Sequence, residues 1–135
     1  MEKKKNLLIE AGDVKIEAEL FWDKAPNFCK ALWDRMPFTS HVGVAKICSH
    51  ELMIMAPMTQ PAENTKEKPA PGDVGWWDWR SSVNIWYDDL GPLGPLGPTA
   101  CHFARVTKNL EGAARIATRN WARGGEKVVF KKLEE

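Results

Sequence analysis

The sequence predicts a mostly β domain, in which strands form a barrel or sheet that is capped by two helices. Strict alternation of apolar and charged residues over 14–20 is typical of a half-buried strand. Aromatic runs at 74–79 and 83–87, separated by a short polar break, indicate a hairpin whose large side chains cover one end of a barrel or a cleft. Only two segments have the pattern of a helix, so strands dominate the prediction.

The chain is predicted to open with a hairpin and a helix. Residues 6–9 and 14–20 form antiparallel strands that are joined by a tight turn at Ala11-Gly12-Asp13. Pro26 suits the first turn of a helix. Apolar residues then recur at spacings of three and four until Met36-Pro37, where this helix is expected to end.

Two strands and a long loop follow. The strands are expected between Thr39 and Met55, the second of them over 51–55. Residues 56–72 contain four Pro and mixed charge without any period. Loops of this length in compact domains are often functional, although a flexible insertion has the same composition.

The remainder of the chain is predicted to contain a second long loop, a strand, a helix and a last strand. The loop, residues 88–99, carries a Gly-Pro-Leu repeat that is too short for a collagen triple helix, so an extended surface loop is expected. The strand covers 100–106. The helix runs from about 110 to 123 and ends at Gly124-Gly125. Residues 126–133 form the last strand.

The composition is that of one domain spanning residues 1–135. With 19 basic and 18 acidic side chains the net charge is +1, so we expect no binding to nucleic acid or to a membrane surface. The basic run at 3–5 precedes only three apolar residues, too few for a signal peptide, and no apolar run is long enough to span a membrane. The three Cys cannot all pair within one chain, so a reducing, cytoplasmic location is expected.

The order of these parts resembles the cyclophilin-like fold. In that fold an N-terminal hairpin leads to a helix that starts at Ala-Pro, as at 25–28, and a late strand ending in Arg-Val leads to a second helix, as at 103–112. A final strand follows, as at 128–130. The resemblance covers nearly the whole chain and implies a closed barrel of about eight strands with helices over its open ends.

Shorter motifs are similar to a prokaryotic cyclophilin-like family of uncharacterised function. These motifs are 61–65 running to 71–74, and the Gly124-Gly125 turn near the end of the chain. Because one fold hosts many activities, this resemblance implies the architecture and leaves the reaction open.

Peptidyl-prolyl isomerases of the cyclophilin-like fold use an Arg that follows a Phe-His pair. The nearest match here is 38–42, in which His41 matches the His and Val42 occupies the Arg position. The Arg polarises the prolyl amide and stabilises the twisted bond, which Val cannot do. Isomerase activity is therefore a disfavoured alternative.

Soft metal ligands occur in two places. His41, Cys48 and His50 lie within ten residues, and Cys101-His102 add two more. None has the Cys-x-x-Cys or His-x-x-x-His spacing that structural zinc sites usually show. Buried thiols and hydrogen-bonded imidazoles are therefore favoured, and no metal or other cofactor is expected.

One hypothesis is an enzyme of unknown reaction that uses His41 and Glu51. His41 is its base and Glu51 the orienting or acidic partner, in a region next to the Trp-rich segment. The alternative is a solvated strand end without chemistry, since most charged residues are simply exposed.

The preferred hypothesis is a small-molecule site with aromatic walls, in a cleft between the two long loops. Alternation places Trp77 and Trp79 on one face of a strand and Trp76 on the other, so part of this set is core and the rest lines a pocket or a subunit interface. The residues predicted to contact the ligand are His50, Trp77, Arg80, Asn84, Trp86 and Tyr87. A homo-oligomer is expected from the exposed aromatic surface. A third hypothesis is a scaffold that docks residues 91–98 on a protein partner.

Overall fold

The computed structural model describes residues 4–45, 50–66, 69–88 and 100–134. These ranges contain two helices and nine strands. In chain order they are β1 (Lys5–Ala11), β2 (Val14–Leu20), α1 (Pro26–Arg35), β3 (Phe38–Ala45), β4 (Glu51–Met55), β5 (Thr65–Lys66), β6 (Asp73–Trp77), β7 (Ser82–Trp86), β8 (Ala100–Lys108), α2 (Leu110–Arg119) and β9 (Lys127–Glu134). The predicted surface loop that follows Asp88 lies outside the described residues.

Eight of the strands close into an antiparallel barrel. Their order is β2-β1-β9-β3-β4-β7-β6-β8, and β2 also pairs with β8 to complete the ring. The short β5 pairs with β8 outside the ring, with Thr65 opposite Cys101. Because the two end strands of this sheet, β2 and β8, pair with each other, the eight-stranded sheet has no open edge. The predicted mostly β barrel of about eight strands with two helices is confirmed.

Every second residue of the strands fills the barrel interior. In β2, for example, Ile16 and Ala18 are buried while Lys15 is exposed. Large side chains inside the core include Trp76, Phe103, Phe130, Leu7, Ile9, Leu52, Ile54 and Ile85. Val42, at the position of the isomerase Arg, also belongs to this core and is 4% exposed. Removal of this apolar surface from water is the main term that stabilises the barrel.

The two helices cover opposite ends of the barrel. α1 follows β2 and α2 follows β8, and these two neighbouring strands run in opposite directions. We call these ends the α1 end and the α2 end. In α1, the ring of Phe28 lies 4.3 Å from the ring of Phe103 and 5.2 Å from that of Trp76. In the described residues no helix has the length or apolar character to cross a membrane.

The second helix is shorter than the sequence predicts, because α2 ends at Arg119 and not near residue 123. Asn120 is the cause, since its side-chain Nδ2 donates hydrogen bonds to the carbonyl of Ile116 (2.8 Å) and to Glu126 Oε1 (2.7 Å). Such bonds from Asn to nearby backbone compete with helix continuation. Gly124, which the sequence predicts as the stop of this helix, lies beyond the Asn120 C-cap and adopts a φ of +68°, a conformation that glycine permits.

The aromatic hairpin lies in the barrel wall. β6 and β7 pair as predicted, with Trp77 opposite Ser82. Trp76 is fully buried inside the barrel, whereas Trp77 and Trp86 lie on its outer side, because successive strand residues face opposite sides. These side chains therefore cover part of the wall and not one end of the barrel.

Candidate functional site

Four adjacent strands, β4, β7, β6 and β8, carry buried polar groups on the outer side of the barrel wall. One rung across them consists of Met53, Asn84, Gly75 and His102. On the same outer side of β4, β6 and β7 lie four buried polar residues: Glu51, Asp73, Ser82 and Asn84. Polar groups on an outer wall are usually hydrated, so their burial requires partners within the protein.

Glu51 is held by two donors from the β6–β7 hairpin. Its carboxylate is 4% exposed, and Oε2 accepts hydrogen bonds from Trp77 Nε1 and from Arg80 Nη2, each at 3.0 Å. The Arg80 guanidinium also lies 5.2 Å from the centre of the Trp79 ring. The positive charge of Arg80 offsets the cost of burying the Glu51 carboxylate.

Arg80 also begins a second series of hydrogen bonds, which runs through Ser82 to Asn84. Its Nε donates to Ser82 Oγ (2.9 Å), and this hydroxyl donates to Asn84 Oδ1 (2.7 Å). Asn84 is fully buried, and its Nδ2 has no hydrogen-bond partner among the described residues. Arg80 and Asn84 are thus joined, as the sequence predicts for residues of one site, although the joining groups are side chains and not a ligand.

Trp86 closes the space over this wall. Its ring lies against Gly75 and meets the ring of Trp77 edge-on, with 6.4 Å between their centres. The cavity beside it measures about 10 Å³ and is lined by Pro69, Asp73, Gly75, Trp86, Ala100 and His102. This volume is roughly that of one water molecule. The structure therefore brings four predicted ligand residues together as a packed cover, and the cavity there is too small for an organic ligand.

Asp73 forms a further buried polar group on the same wall. It is 1% exposed; Oδ2 accepts from the backbone N–H of Ala70 (2.7 Å), and Oδ1 accepts from Arg105 Nη1 (3.2 Å). His102 Nε2 lies 3.1 Å from Oδ1, but this contact is not aligned as a hydrogen bond. Sequence reasoning missed the pairing because Gly72-Asp73 has the composition of an ordinary turn.

His41 lies apart from Glu51. It is exposed on β3, opposite Lys127 of β9. Glu51 is opposite Ala45, four residues further along the same strand, which corresponds to roughly 13 Å. Acid–base chemistry by His41 and Glu51 stays a prediction that this placement does not favour.

An open groove of about 640 Å³ lies at the α2 end. Two predicted ligand residues meet here: the backbone N–H of Tyr87 donates to the carbonyl of His50 (3.1 Å), and their rings are 5.8 Å apart. The described residues that line the groove are His50, Tyr87, Asp88, Ala114, Thr118 and Trp121. We call it the α2 groove. Trp121 is 42% exposed. The sequence does not single it out as a site residue, because it falls within the segment 110–123 that is predicted as a helix.

The arginines of α2 point away from the α2 groove, toward the β1–β2 turn. Arg115 Nη2 lies 3.2 Å from Asp13 Oδ2, and Arg119 Nη1 lies 3.0 Å from Asp13 Oδ1. Arg119 Nε also donates to Glu126 Oε1 (2.8 Å). Hydrogen bonds from Arg119 hold the pKa values of Asp13 and Glu126 below their ordinary range.

The two described cysteines are buried thiols. Burial raises the pKa of Cys29 to about 12 and that of Cys101 to about 11, so both stay protonated at neutral pH. Cys48 lies outside the described residues. In the ranges that the structure describes, no three His, Cys, Asp or Glu residues are grouped so as to hold a metal ion.

Solved structures of two other proteins resemble this barrel. McbB, solved in complex with tryptophan, superposes with a TM-score of 0.78 at 16% sequence identity, over 93% of this chain and 44% of the McbB chain. The hypothetical protein AF2241 from Archaeoglobus fulgidus, solved in solution, has a TM-score of 0.69 at 18% identity over 98% of each chain. This chain thus spans less than half the length of McbB. At these identities the likeness shows a shared fold and nothing further.

A protein-family model matches most of the sequence. It describes a protein of unknown function (DUF3830) and covers residues 7–132. No protein of curated function matches the chain. Because the model spans far more than half of the chain, this protein belongs to the DUF3830 family.

Proposed function

We propose that this protein binds a small, flat aromatic molecule in the α2 groove. The observation that carries the proposal is an open volume of about 640 Å³ beside the rings of His50, Tyr87 and Trp121. Small-molecule sites usually measure roughly 300–1,000 Å³ and have mostly apolar and aromatic walls. The packed outer wall around Trp86, with about 10 Å³ of free volume, has no comparable space.

Two further points support this proposal. The sequence predicts His50 and Tyr87 as ligand contacts, and both line the groove. McbB, which shares the fold, was solved with tryptophan, a molecule with a flat ring. McbB therefore binds an aromatic molecule, and we extend that capacity to this chain as part of the proposal.

The proposal includes a cytoplasmic location and assembly into a homo-oligomer. Trp79 is 67% exposed on the turn between β6 and β7 and supplies aromatic surface for a contact between copies. Sedimentation velocity over a range of protein concentrations tests the assembly. A single monomeric species at all concentrations contradicts it.

The binding test is a calorimetric titration with 3-methylindole, in parallel on wild type, Trp121→Ala and Trp79→Ala. Both tryptophans are exposed, but only Trp121 lines the groove, so Trp79→Ala is the matched control. We expect Trp121→Ala to weaken binding about tenfold, the value of one good aromatic contact, and Trp79→Ala to leave it unchanged. Thermal unfolding of each variant verifies that it is folded. No binding to wild type, or equal losses in both variants, contradicts the proposal.

A further inference from the structure

Two buried polar atoms on the outer wall of the barrel flank the same glycine. Of the buried side-chain nitrogens and oxygens in the described ranges, only Asn84 Nδ2 and His102 Nε2 have no hydrogen-bond partner. Both residues lie opposite Gly75 in the sheet, Asn84 on β7 and His102 on β8. Leaving a buried polar atom unpaired is unfavourable, so two such atoms beside one glycine require an explanation.

The hydrogen bonds of Ser82 fix the orientation of the Asn84 amide. Ser82 Oγ accepts from Arg80 Nε (2.9 Å), and its own hydrogen is donated to Asn84 Oδ1 (2.7 Å). The oxygen end of the amide is therefore used, and the Nδ2 end remains as a donor. Because Asn84 is fully buried, bulk water does not reach this donor.

The indole of Trp86 lies over Gly75, between the wall and the solvent. A Cβ at Gly75 would lie 2.7 Å from Trp86 Cζ3, so the ring approaches the backbone as closely as a glycine permits. A glycine inside a strand often marks a place where a ligand or another group comes close to the backbone. Here that group is an aromatic ring of the protein itself.

Packing holds the Trp86 ring in place without a hydrogen bond. The indole N–H groups of Trp76 and Trp77 donate to the carbonyl of Gln60 (2.9 Å) and to Glu51 Oε2 (3.0 Å). The N–H of Trp86 donates to no residue of the described ranges, although buried tryptophans usually find a partner. The Trp86 ring can therefore move away from Gly75 without breaking a hydrogen bond.

We infer that Trp86 is a movable cover over a second binding site, which takes a flat heteroaromatic ring with hydrogen-bond acceptors on its edge. When the indole moves out, its volume is added to the cavity of about 10 Å³ beside Gly75 and His102. The ligand ring then takes the place of the indole over Gly75. One acceptor on its edge pairs with Asn84 Nδ2, and His102 Nε2 contacts another atom of the same edge.

Recognition of this ligand does not depend on the charge of the wall. The Asn84 amide is uncharged, and the Asp73 carboxylate already accepts from Arg105 Nη1 (3.2 Å) and from the backbone N–H of Ala70 (2.7 Å). The site lies on the side of the barrel, whereas the α2 groove lies at one end. The inference therefore goes beyond the proposed function and does not rest on it.

The direction of one mutational effect distinguishes a cover from a wall. If Trp86 must move before the ligand binds, the apparent affinity is reduced by the fraction of molecules that are open, and trimming the ring raises the affinity. If Trp86 is a wall, trimming it removes a contact and lowers the affinity. We expect Trp86→Ala to bind about tenfold more tightly than wild type, with Trp86→Phe between the two. Trp86→Phe keeps a ring over Gly75 and serves alone if Trp86→Ala does not fold.

The probes are quinazolin-4-one, a bicyclic ring with carbonyl and ring-nitrogen acceptors, and naphthalene, a ring of the same size without acceptors. Binding is followed by NMR titration at the backbone amide of Gly75 and the side-chain amide of Asn84. Asn84→Leu should weaken quinazolin-4-one binding about fivefold, the value of one hydrogen bond, and leave naphthalene binding unchanged. Trp121→Ala, which alters only the α2 groove, is the control and should change neither affinity at this wall.

Four results would overturn the inference. The first is weaker binding of quinazolin-4-one to the Trp86 variants than to wild type. The second is no binding to wild type up to the solubility limit, even if Trp86→Ala binds, because that cavity is made by the mutation. The third is an equal effect of Asn84→Leu on both probes. The fourth is loss of binding in Trp121→Ala, which would place the probe in the α2 groove and leave the proposed function intact.

Discussion

Trp86 is 2% exposed although it lies on the outside of the barrel. The reason is Gly75, the residue beneath it on β6, which has no side chain to hold the indole away from the wall. The ring can therefore approach the backbone of Gly75 closely. The absence of a Cβ at Gly75 thus leaves the space that the Trp86 ring occupies.

Replacing Gly75 with Ala should destabilise the protein by about 2 kcal/mol, because the new methyl group forces the indole to move. The added Cβ would lie 2.7 Å from Trp86 Cζ3, 2.9 Å from Cη2 and 3.2 Å from the Cβ of Ala100. Urea unfolding measures the change in the free energy of unfolding, and tryptophan emission reports the displaced ring.

Gly43→Ala is the control for this prediction. A Cβ there would meet Met53 Cε at 2.9 Å, which is the free end of a flexible side chain. We expect a loss below about 1 kcal/mol, since methionine adapts to small changes in volume. Equal losses in Gly43→Ala and Gly75→Ala would show that the rigid contact with Trp86 is not the cause.

Among the elements, α1 depends on a cap from a distant part of the chain. Ala25 precedes the helix and has no side-chain oxygen, so it cannot cap the free N–H groups of the first turn. Glu63 does so instead: Oε1 accepts from the backbone N–H of Phe28 (2.7 Å) and Oε2 from Asn27 Nδ2 (3.0 Å). The Pro-rich loop 56–72 therefore has a structural role in holding α1.

Glu63→Ala should cost about 1 kcal/mol of stability, the usual value of a helix N-cap, and should increase fraying of the first turn of α1. Chemical denaturation measures the stability, and hydrogen exchange at the amide of Phe28 measures the fraying. Glu19→Ala, an exposed glutamate on β2, is the control. If exchange at Phe28 is the same in both variants, Glu63 does not cap the helix.

Across the barrel as a whole, Arg119 ties three distant segments together. It contacts Asp13 in the β1–β2 turn and Glu126 just before β9, while lying itself at the end of α2. Its Nη2 also donates to the carbonyl of Ala11 (2.9 Å). The first and last strands of the chain are thus linked to the helix that covers their end of the barrel.

This linkage predicts a specific pH dependence of stability. The hydrogen bond from Arg119 lowers the pKa of Glu126 in the folded protein. A lowered folded-state pKa stabilises the protein above the ordinary glutamate pKa, and the stabilisation is lost as the pH falls through the folded value. Because Arg119 is partly exposed and screened by water, the contribution at pH 7 is about 1 kcal/mol or less.

Glu126→Gln should therefore be less stable than wild type at pH 7, and the difference should shrink as the pH falls below the ordinary glutamate pKa. Urea unfolding across this range provides the measurement. Lys131→Ala, which removes a pairing with Glu10 on the neighbouring strand, should shift stability by less. A constant difference between wild type and Glu126→Gln at all pH values would contradict the role of this carboxylate.

The candidate site could be predicted only in part. His50 and Tyr87 are identifiable because each is a polar or aromatic residue at the edge of a predicted strand. Trp121 and Asp88 were missed because they reach the groove through α2 and through the end of β7, which are distant in the chain. Trp86 has the pattern of a site residue, but only its packing on Gly75 shows that no ligand-sized space lies there.

Local periodicity and turn composition were enough to predict the mostly β class, both helices and the eight strands of the barrel from the order of residues alone. The two-residue β5 falls in the segment 56–72 that was predicted as a loop, and α2 ends earlier than predicted. Alternation over 14–20 defined β2, and the Ala-Pro start defined α1. The folded chain was needed to establish the pairing of β2 with β8, the side of each strand that faces the core, and the placement of His50 and Trp121 in the same groove. Those features depend on contacts between residues far apart in the chain, which periodicity along a single strand or helix does not encode.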